Sequence, residues 1–226
     1  MNIKVKVLRY KPDISPRRYF SEYKLDVEKG MTVLDGLLWL KENMDPTLSF
    51  RYSCRMGVCG SCAMLVNGYP RMACNNQILD ITTSTLVVKP LPNYPIISDV
   101  VPDLKRLFES HRKVKPFIIR YEPLEGTLKR EWKQTPEEHE SYIQFSYCMK
   151  CGICVSACPT SATDSEYLGP QALAQGYRYS QDSRDEGLDE RGEIVTEAHG
   201  IFNCHFAGAC SEACPKGVDP AFAIQL

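Results

Sequence analysis

All eleven cysteines of this 226-residue chain fall into three groups, and none is left over. The first holds Cys54, Cys59, Cys62 and Cys74; the second Cys148, Cys151, Cys154 and Cys158; the third Cys204, Cys210 and Cys214. An odd number cannot be closed into disulfides without leaving a thiol free. The rest of the composition is that of an ordinary globular protein, 43% hydrophobic and 24% charged. A net charge of −1 creates no field that would draw nucleic acid or acidic lipid. No apolar run approaches the roughly 20 residues that span a bilayer. The opening residues MNIKVKVLRY alternate charged and apolar side chains, unlike the continuous apolar core of a secretion signal. The chain is therefore expected to stay in the cytoplasm and to meet a membrane only through a partner. Thiols are kept reduced there, so metal binding is the better use for them.

Spacing says which metal centres. In SCRMGVCGSC, four residues separate Cys54 from Cys59 and two separate Cys59 from Cys62; eleven more precede Cys74. Four-then-two is the spacing of a plant-type 2Fe–2S centre. Gly57 and Gly60 suit a loop that must turn tightly and aim N–H groups at sulfur. Zinc at the Cys59–Cys62 pair is the competing reading, but zinc sites usually combine two such pairs, and Cys54 and Cys74 form none. No histidine lies near enough for a Rieske centre.

The second group, CMKCGICVSACP, is an unbroken ferredoxin-type run that ends on Cys158–Pro159. The third, NCHFAGACSEACPKG, keeps the same frame with Ala207 where a second ligand would stand. In two-cluster proteins the fourth cysteine of a run serves the other cluster. Crossing the ligands in this way assigns Cys148, Cys151, Cys154 and Cys214 to a 4Fe–4S cluster. Cys158, Cys204 and Cys210 are left for a 3Fe–4S cluster, one iron short at the Ala207 gap. Three one-electron centres in one chain make a wire.

Hydrophobic periodicity frames these groups. Ile3, Val5 and Val7 alternate with lysines as a half-buried strand, and Tyr23, Leu25 and Val27 suggest its hairpin partner beyond a turn at 11–18. Thr32 and Asp35 have the spacing of a capping box ahead of a leucine-rich helix that ends near Asp45–Pro46. Short strands are expected around 63–67 and 85–89. Prolines recur from 90 to 102 and mark a crossing. Helices are expected around 104–108, 136–147 and 169–182. The fold class is α+β. Residues 1–100 form a 2Fe–2S domain that resembles the β-grasp of plant-type ferredoxins, and 101–226 form a mainly α-helical domain that binds two clusters.

The three motifs, in this order and spacing, resemble the iron–sulfur subunit of succinate dehydrogenase and fumarate reductase. The likeness extends to DGLLWLKENMDPTLSFRYSC before the first group and YLGPQALAQGYRYSQDSRDEG between the second and third. The resemblance implies an electron-transfer subunit with no catalytic residue of its own, its 2Fe–2S centre facing an FAD-containing flavoprotein. It implies a 3Fe–4S centre facing a quinone held by membrane-anchor subunits, on the cytoplasmic face of the cell membrane. It makes His205, next to a ligand, and Thr163 candidates for the quinone side. The segment PTSATDSEYLGP lacks the tryptophan of the ubiquinone-linked members, which favours the fumarate-reductase, menaquinone-linked branch. The rival readings are a fumarate reductase driven by thiols or another soluble donor, a free ferredoxin-like carrier, and a zinc-stabilised interaction module.

Overall fold

The computed structural model describes residues 1–121 and 131–226. It divides into two compact units: Met1–Leu104 together with Met149–Ala157, and Lys105–Cys148 together with Cys158–Leu226. A sequence division near residue 100 follows the proline-rich stretch; the first unit also takes in nine residues of the second cysteine run, 149–157.

The first unit is built on a five-stranded sheet in the order β2-β1-β5-β3-β4. Strand β1 (Asn2–Lys11) buries Ile3, Val5 and Val7 on one face, as their alternation predicts. It pairs antiparallel with β2 (Ser15–Asp26) from Asn2↔Asp26 to Lys11↔Ser15. The turn is thus shorter than the prolines suggest. Pro16 lies within β2, the outermost strand, where a missing N–H need break no ladder bond. Helix α1 (Val33–Asn43) follows, and both bonds of the Thr32–Asp35 capping box are made. It buries Val33, Leu34, Leu37 and Leu40. Strands β3 (Ala63–Val66) and β4 (Tyr69–Met72) form a hairpin; β4 has no alternating pattern and was not legible in the sequence. After the short helix α2 (Ile78–Ile81), β5 (Thr85–Lys89) runs parallel to β1 and closes the β-grasp. A small hairpin of β6 (Ile96–Ser98) and β7 (Val101–Pro102) ends this part.

Arg9 is 3% exposed although it stands in a strand that otherwise alternates lysine with aliphatics. Its guanidinium donates to Asp45 at 2.5 Å and to Tyr23 at 3.1 Å, and Nε lies 3.2 Å from the fully buried Asp99. This pins β1 to the end of α1.

The second unit is helical. Helix α3 (Lys105–Lys113), α4 (Pro136–Glu140) and α5 (Ile143–Ser146) come first in chain order. One helix was expected over 136–147. Tyr142 breaks it, with φ −130° and its ring buried beside Phe145. Helix α6 (Ile153–Ala157) belongs to the first unit; α7 (Pro159–Thr163) and α8 (Pro170–Ser180) belong to the second. Helix α9 (Leu188–Val195), α10 (Ala209–Glu212) and α11 (Pro220–Gln225) complete it. Among the described residues two apolar clusters hold the unit together, and cysteines belong to or pack against both. Val114, Tyr167, Leu168, Leu173 and Ile224 surround Cys158, with Cys204 packed against them. Tyr142, Phe145, Ala174, Val218 and Ala223 have Cys214 and Tyr177 against them.

Candidate metal centres

None of the eleven cysteines is in a disulfide. In the first group, backbone N–H groups converge on all four sulfurs. Cys54 Sγ accepts from Met56 at 3.4 Å and from Val58 and Cys59 at 3.3 Å. Cys59 Sγ accepts from Cys54 at 3.5 Å, Cys74 Sγ from Gly57 at 3.3 Å, and Cys62 Sγ from Cys74 at 3.4 Å. Such a shell stabilises negative charge on sulfur. Its effect differs by site. The Ser61 hydroxyl and the neighbouring N–H groups bring the Cys59 thiol down to about 6, whereas burial pushes Cys62 up to about 12. Four thiols joined by amide donors fit a 2Fe–2S group. The ligand loop is also a cradle that a Cβ would fill. On Gly60, with φ +74°, it would lie 2.7 Å from Cys151 Cβ and 3.0 Å from Cys151 Cα.

The second group is divided. Cys151 and Cys154 lie in the first unit, Cys148 and Cys158 in the second. The segment carrying Cys151 and Cys154 is fastened within its own unit. Asn93 Nδ2 donates to the carbonyls of Val155 (2.9 Å) and Ser156 (3.2 Å), and the Tyr94 hydroxyl donates to Gly152 (3.1 Å). The Asn93 bonds occupy carbonyls at the end of the short helix α6, and the Tyr94 bond shares the Gly152 carbonyl with the Ser156 N–H. In the second unit, buried Gln171 places Nε2 3.9 Å from Cys148 Sγ and 3.2 Å from His111 Nδ1.

In the second unit, Cys158, Cys204 and Cys210 line one small cavity of about 20 Å³, with Ala207 on its wall. Cys158 is the N-cap of α7, where its Sγ accepts the Ser161 N–H at 3.5 Å. Cys204 Sγ accepts the Phe206 N–H at 3.4 Å. Burial pushes the Cys210 thiol up, and the Ser211 hydroxyl and N–H oppose that. His205, Phe206 and Gly208 line the same cavity. Thr163 is not among the lining residues; it is exposed at the end of α7, its hydroxyl donating to the Thr160 carbonyl at 3.2 Å. Among the described residues, no three His, Cys, Asp or Glu side chains gather as they would around a single metal ion.

Residues 4–109 match the family described as a 2Fe-2S iron-sulfur cluster binding domain, and residues 144–218 match the 4Fe-4S dicluster domain. The fumarate reductase iron-sulfur subunit of Mycobacterium tuberculosis is 44% identical over 225 residues, covering 99% of this chain and 90% of the relative. That of Haemophilus influenzae is 40% identical over 230 residues, covering 98% and 90%. The chain belongs to the family of fumarate reductase and succinate dehydrogenase iron–sulfur subunits. The succinate dehydrogenase iron-sulfur subunit of Paracoccus denitrificans is 38% identical over 220 residues, covering 96% of this chain and 83% of that one. The fold agrees with a chain of the Mycobacterium smegmatis Sdh1 complex in the apo form, with a TM-score of 0.86 at 24% identity, over 99% of this chain and 94% of that one. As an iron–sulfur subunit of this family it is part of an oxidoreductase, with a 2Fe–2S domain followed by a 4Fe–4S dicluster domain.

One feature of this iron–sulfur subunit escapes motif reading. Each cysteine loop carries a left-handed residue other than glycine, followed two positions later by a left-handed glycine: Arg55 and Gly57, Lys150 and Gly152, Phe206 and Gly208. Alternating handedness of this kind turns successive N–H groups inward into an anion-binding concavity. The glycines are visible in the sequence. Arg55, Lys150 and Phe206 are not, because nothing about their side chains favours positive φ.

Proposed function

We propose that this chain relays electrons between an FAD-containing flavoprotein and a membrane quinone through three clusters of different type. Cys54, Cys59, Cys62 and Cys74 would hold 2Fe–2S; Cys148, Cys151, Cys154 and Cys214 would hold 4Fe–4S; Cys158, Cys204 and Cys210 would hold 3Fe–4S. When bound, these groups supply one-electron chemistry, and the chain supplies their spacing, their hydrogen bonds and their exclusion from water. The observation that carries the reading is the third cavity. Three thiols line it, and Ala207 stands on its wall where an unbroken run would bring a fourth.

Exposed apolar side chains support partners at both ends. Met56 and Val58 lie between ligands of the first group, where the flavoprotein would dock. Phe202, Phe206 and Phe222 lie around the third, where membrane-anchor subunits would present the quinone. Among the described residues no helix is long and apolar enough to cross a membrane, so attachment would come through those anchors, on the cytoplasmic face. His205 lines the third cavity and is the quinone-side candidate closest to a ligand, with Thr163 further along α7. Menaquinone is favoured over ubiquinone by the segment after Pro159, and the higher identity to fumarate reductase subunits points the same way.

Paramagnetic resonance of the air-oxidised, iron-replete protein tests this. An odd-electron 3Fe–4S centre gives a signal near the free-electron value. Ala207→Cys should abolish that signal and raise the iron content by one per chain. An iron-replete wild-type protein without the signal would defeat the assignment.

A further inference from the structure

Tyr167 is 1% exposed, and its buried hydroxyl has no nitrogen or oxygen partner, only the Cys204 thiol beside it. A buried hydroxyl left in that state is costly, and native structures rarely keep one without a reason. Its ring lines the cavity of Cys158, Cys204 and Cys210, and packs in the same apolar cluster as Cys158. The backbone on either side is fixed. Arg106 donates to the carbonyls of Asp164 at 3.1 Å and Tyr167 at 3.0 Å, and the next residue, Leu168, donates to His199 at 2.9 Å. The phenol is thus held rigidly beside three thiols, with a proton to give and no nitrogen or oxygen to receive it.

We infer that Tyr167 donates its hydrogen bond to a sulfur of the group held by Cys158, Cys204 and Cys210, and so raises that centre's midpoint potential. The inference rests on the 3Fe–4S reading of the cavity. Reduction adds one electron and makes the sulfurs more negative. A donor aimed at them therefore stabilises the reduced form more than the oxidised form. The Phe206 and Ser161 amides also reach these sulfurs, as backbone donors that only a proline could remove, and the Ser211 hydroxyl beside Cys210 donates to Asp219. Tyr167 is the adjustable donor, a positioning residue rather than a catalytic one.

The test is a redox titration of the free-electron-like signal in the purified complex, comparing wild type with Tyr167→Phe. Phenylalanine keeps the ring and its packing and removes only the hydroxyl. The reduction equilibrium constant should fall about tenfold, which is about 59 mV for a one-electron couple, at unchanged iron content. Tyr177→Phe serves as the control. It removes another tyrosine hydroxyl from the same unit, from a ring packed 5.2 Å from Phe145 and outside the cavity, and should leave the potential where it was. A wild-type signal with Tyr167→Phe titrating at the same potential overturns the inference alone. An iron-replete wild type without the signal overturns the cluster reading and the inference with it. If Tyr167→Phe fails to hold the cluster, double-resonance spectra of the wild type decide. Protein refolded and reconstituted in heavy water should lose one strongly coupled exchangeable proton beyond those of the backbone amides and of Ser211, and the absence of such a proton refutes the donor.

Discussion

The two units solve different problems. In the first, the sheet and α1 bury Ile3, Val5, Val7, Leu25, Leu37, Val66 and Val88 by strand and helix packing, and the buried ligands Cys62 and Cys74 stand next to β3 and β4 at the margin of that sheet. In the second, the ligands are the core. Cys158 is part of one apolar cluster, with Cys204 against it, and Cys214 packs against the other. A fold whose core contains its ligands depends on the metal for stability as well as for function. The largest expected effect follows from this. Removing iron from the purified complex should lower amide protection in α8 and α11 by about a hundredfold or more. Protection in β1 and β5 should change by less than about tenfold. Equal losses in the two units, followed by hydrogen exchange, would erase the distinction.

A second, smaller effect concerns how tightly ligand loops are packed inside the first unit. Gly57 and Gly60 have nearly the same φ, +73° and +74°, so a side chain at either costs about 1–2 kcal/mol of left-handed strain. They differ in what a Cβ would meet. On Gly57 the nearest atoms are 3.6 Å away; on Gly60 they include the backbone of Cys151 at 3.0 Å. Gly60→Ala should therefore cost about 1–3 kcal/mol more than Gly57→Ala, read from urea midpoints of iron-replete protein. Equal costs would show that the approach of the first ligand loop to Cys151 is not a tight constraint.

How much of this the sequence disclosed divides along the same line. Strand β1, its partner, α1 and its capping box were legible because alternation, helical period and cap chemistry are local. The four ligands of the first group were legible because they lie within 21 residues of one another and the loop encodes its own turns. Other features depend on residues that meet only in three dimensions. Tyr167 reads as an ordinary aromatic until it is placed beside thiols from residues 158 and 204–210. Tyr142 breaks the helix expected over 136–147 because its ring is drawn into a core assembled from α8 and α11. The burial of Arg9 was hidden as well, since its place in an alternating strand gives no sign that carboxylates from residues 45 and 99 will enclose it.

That enclosure gives the smallest of these effects and one whose pH dependence has a definite sign. Burial works against the Asp45 carboxylate, but donors from Thr47, Tyr23 and Arg9 overcome it and hold its pKa well below the ordinary 3.8. A carboxyl depressed in the native state stabilises the fold fully above its unfolded value. That contribution is lost as pH falls below about 4, toward the native value. Asp45→Asn should therefore cost about 2 kcal/mol at neutral pH. The loss is limited because Arg9 keeps Asp99 at 3.2 Å, itself buried and paired with Lys11 at 3.0 Å. The difference between wild type and variant should be the same at pH 7 and pH 5, both above the unfolded value, and begin to close only below about pH 4. A gap that already narrows between pH 7 and 5 would mean that a group other than Asp45 carries the linkage. Because every member of this network lies in the first unit, the amides of α8 and α11 should not register the substitution. Any loss of protection there would show that the second unit's stability depends on the first's.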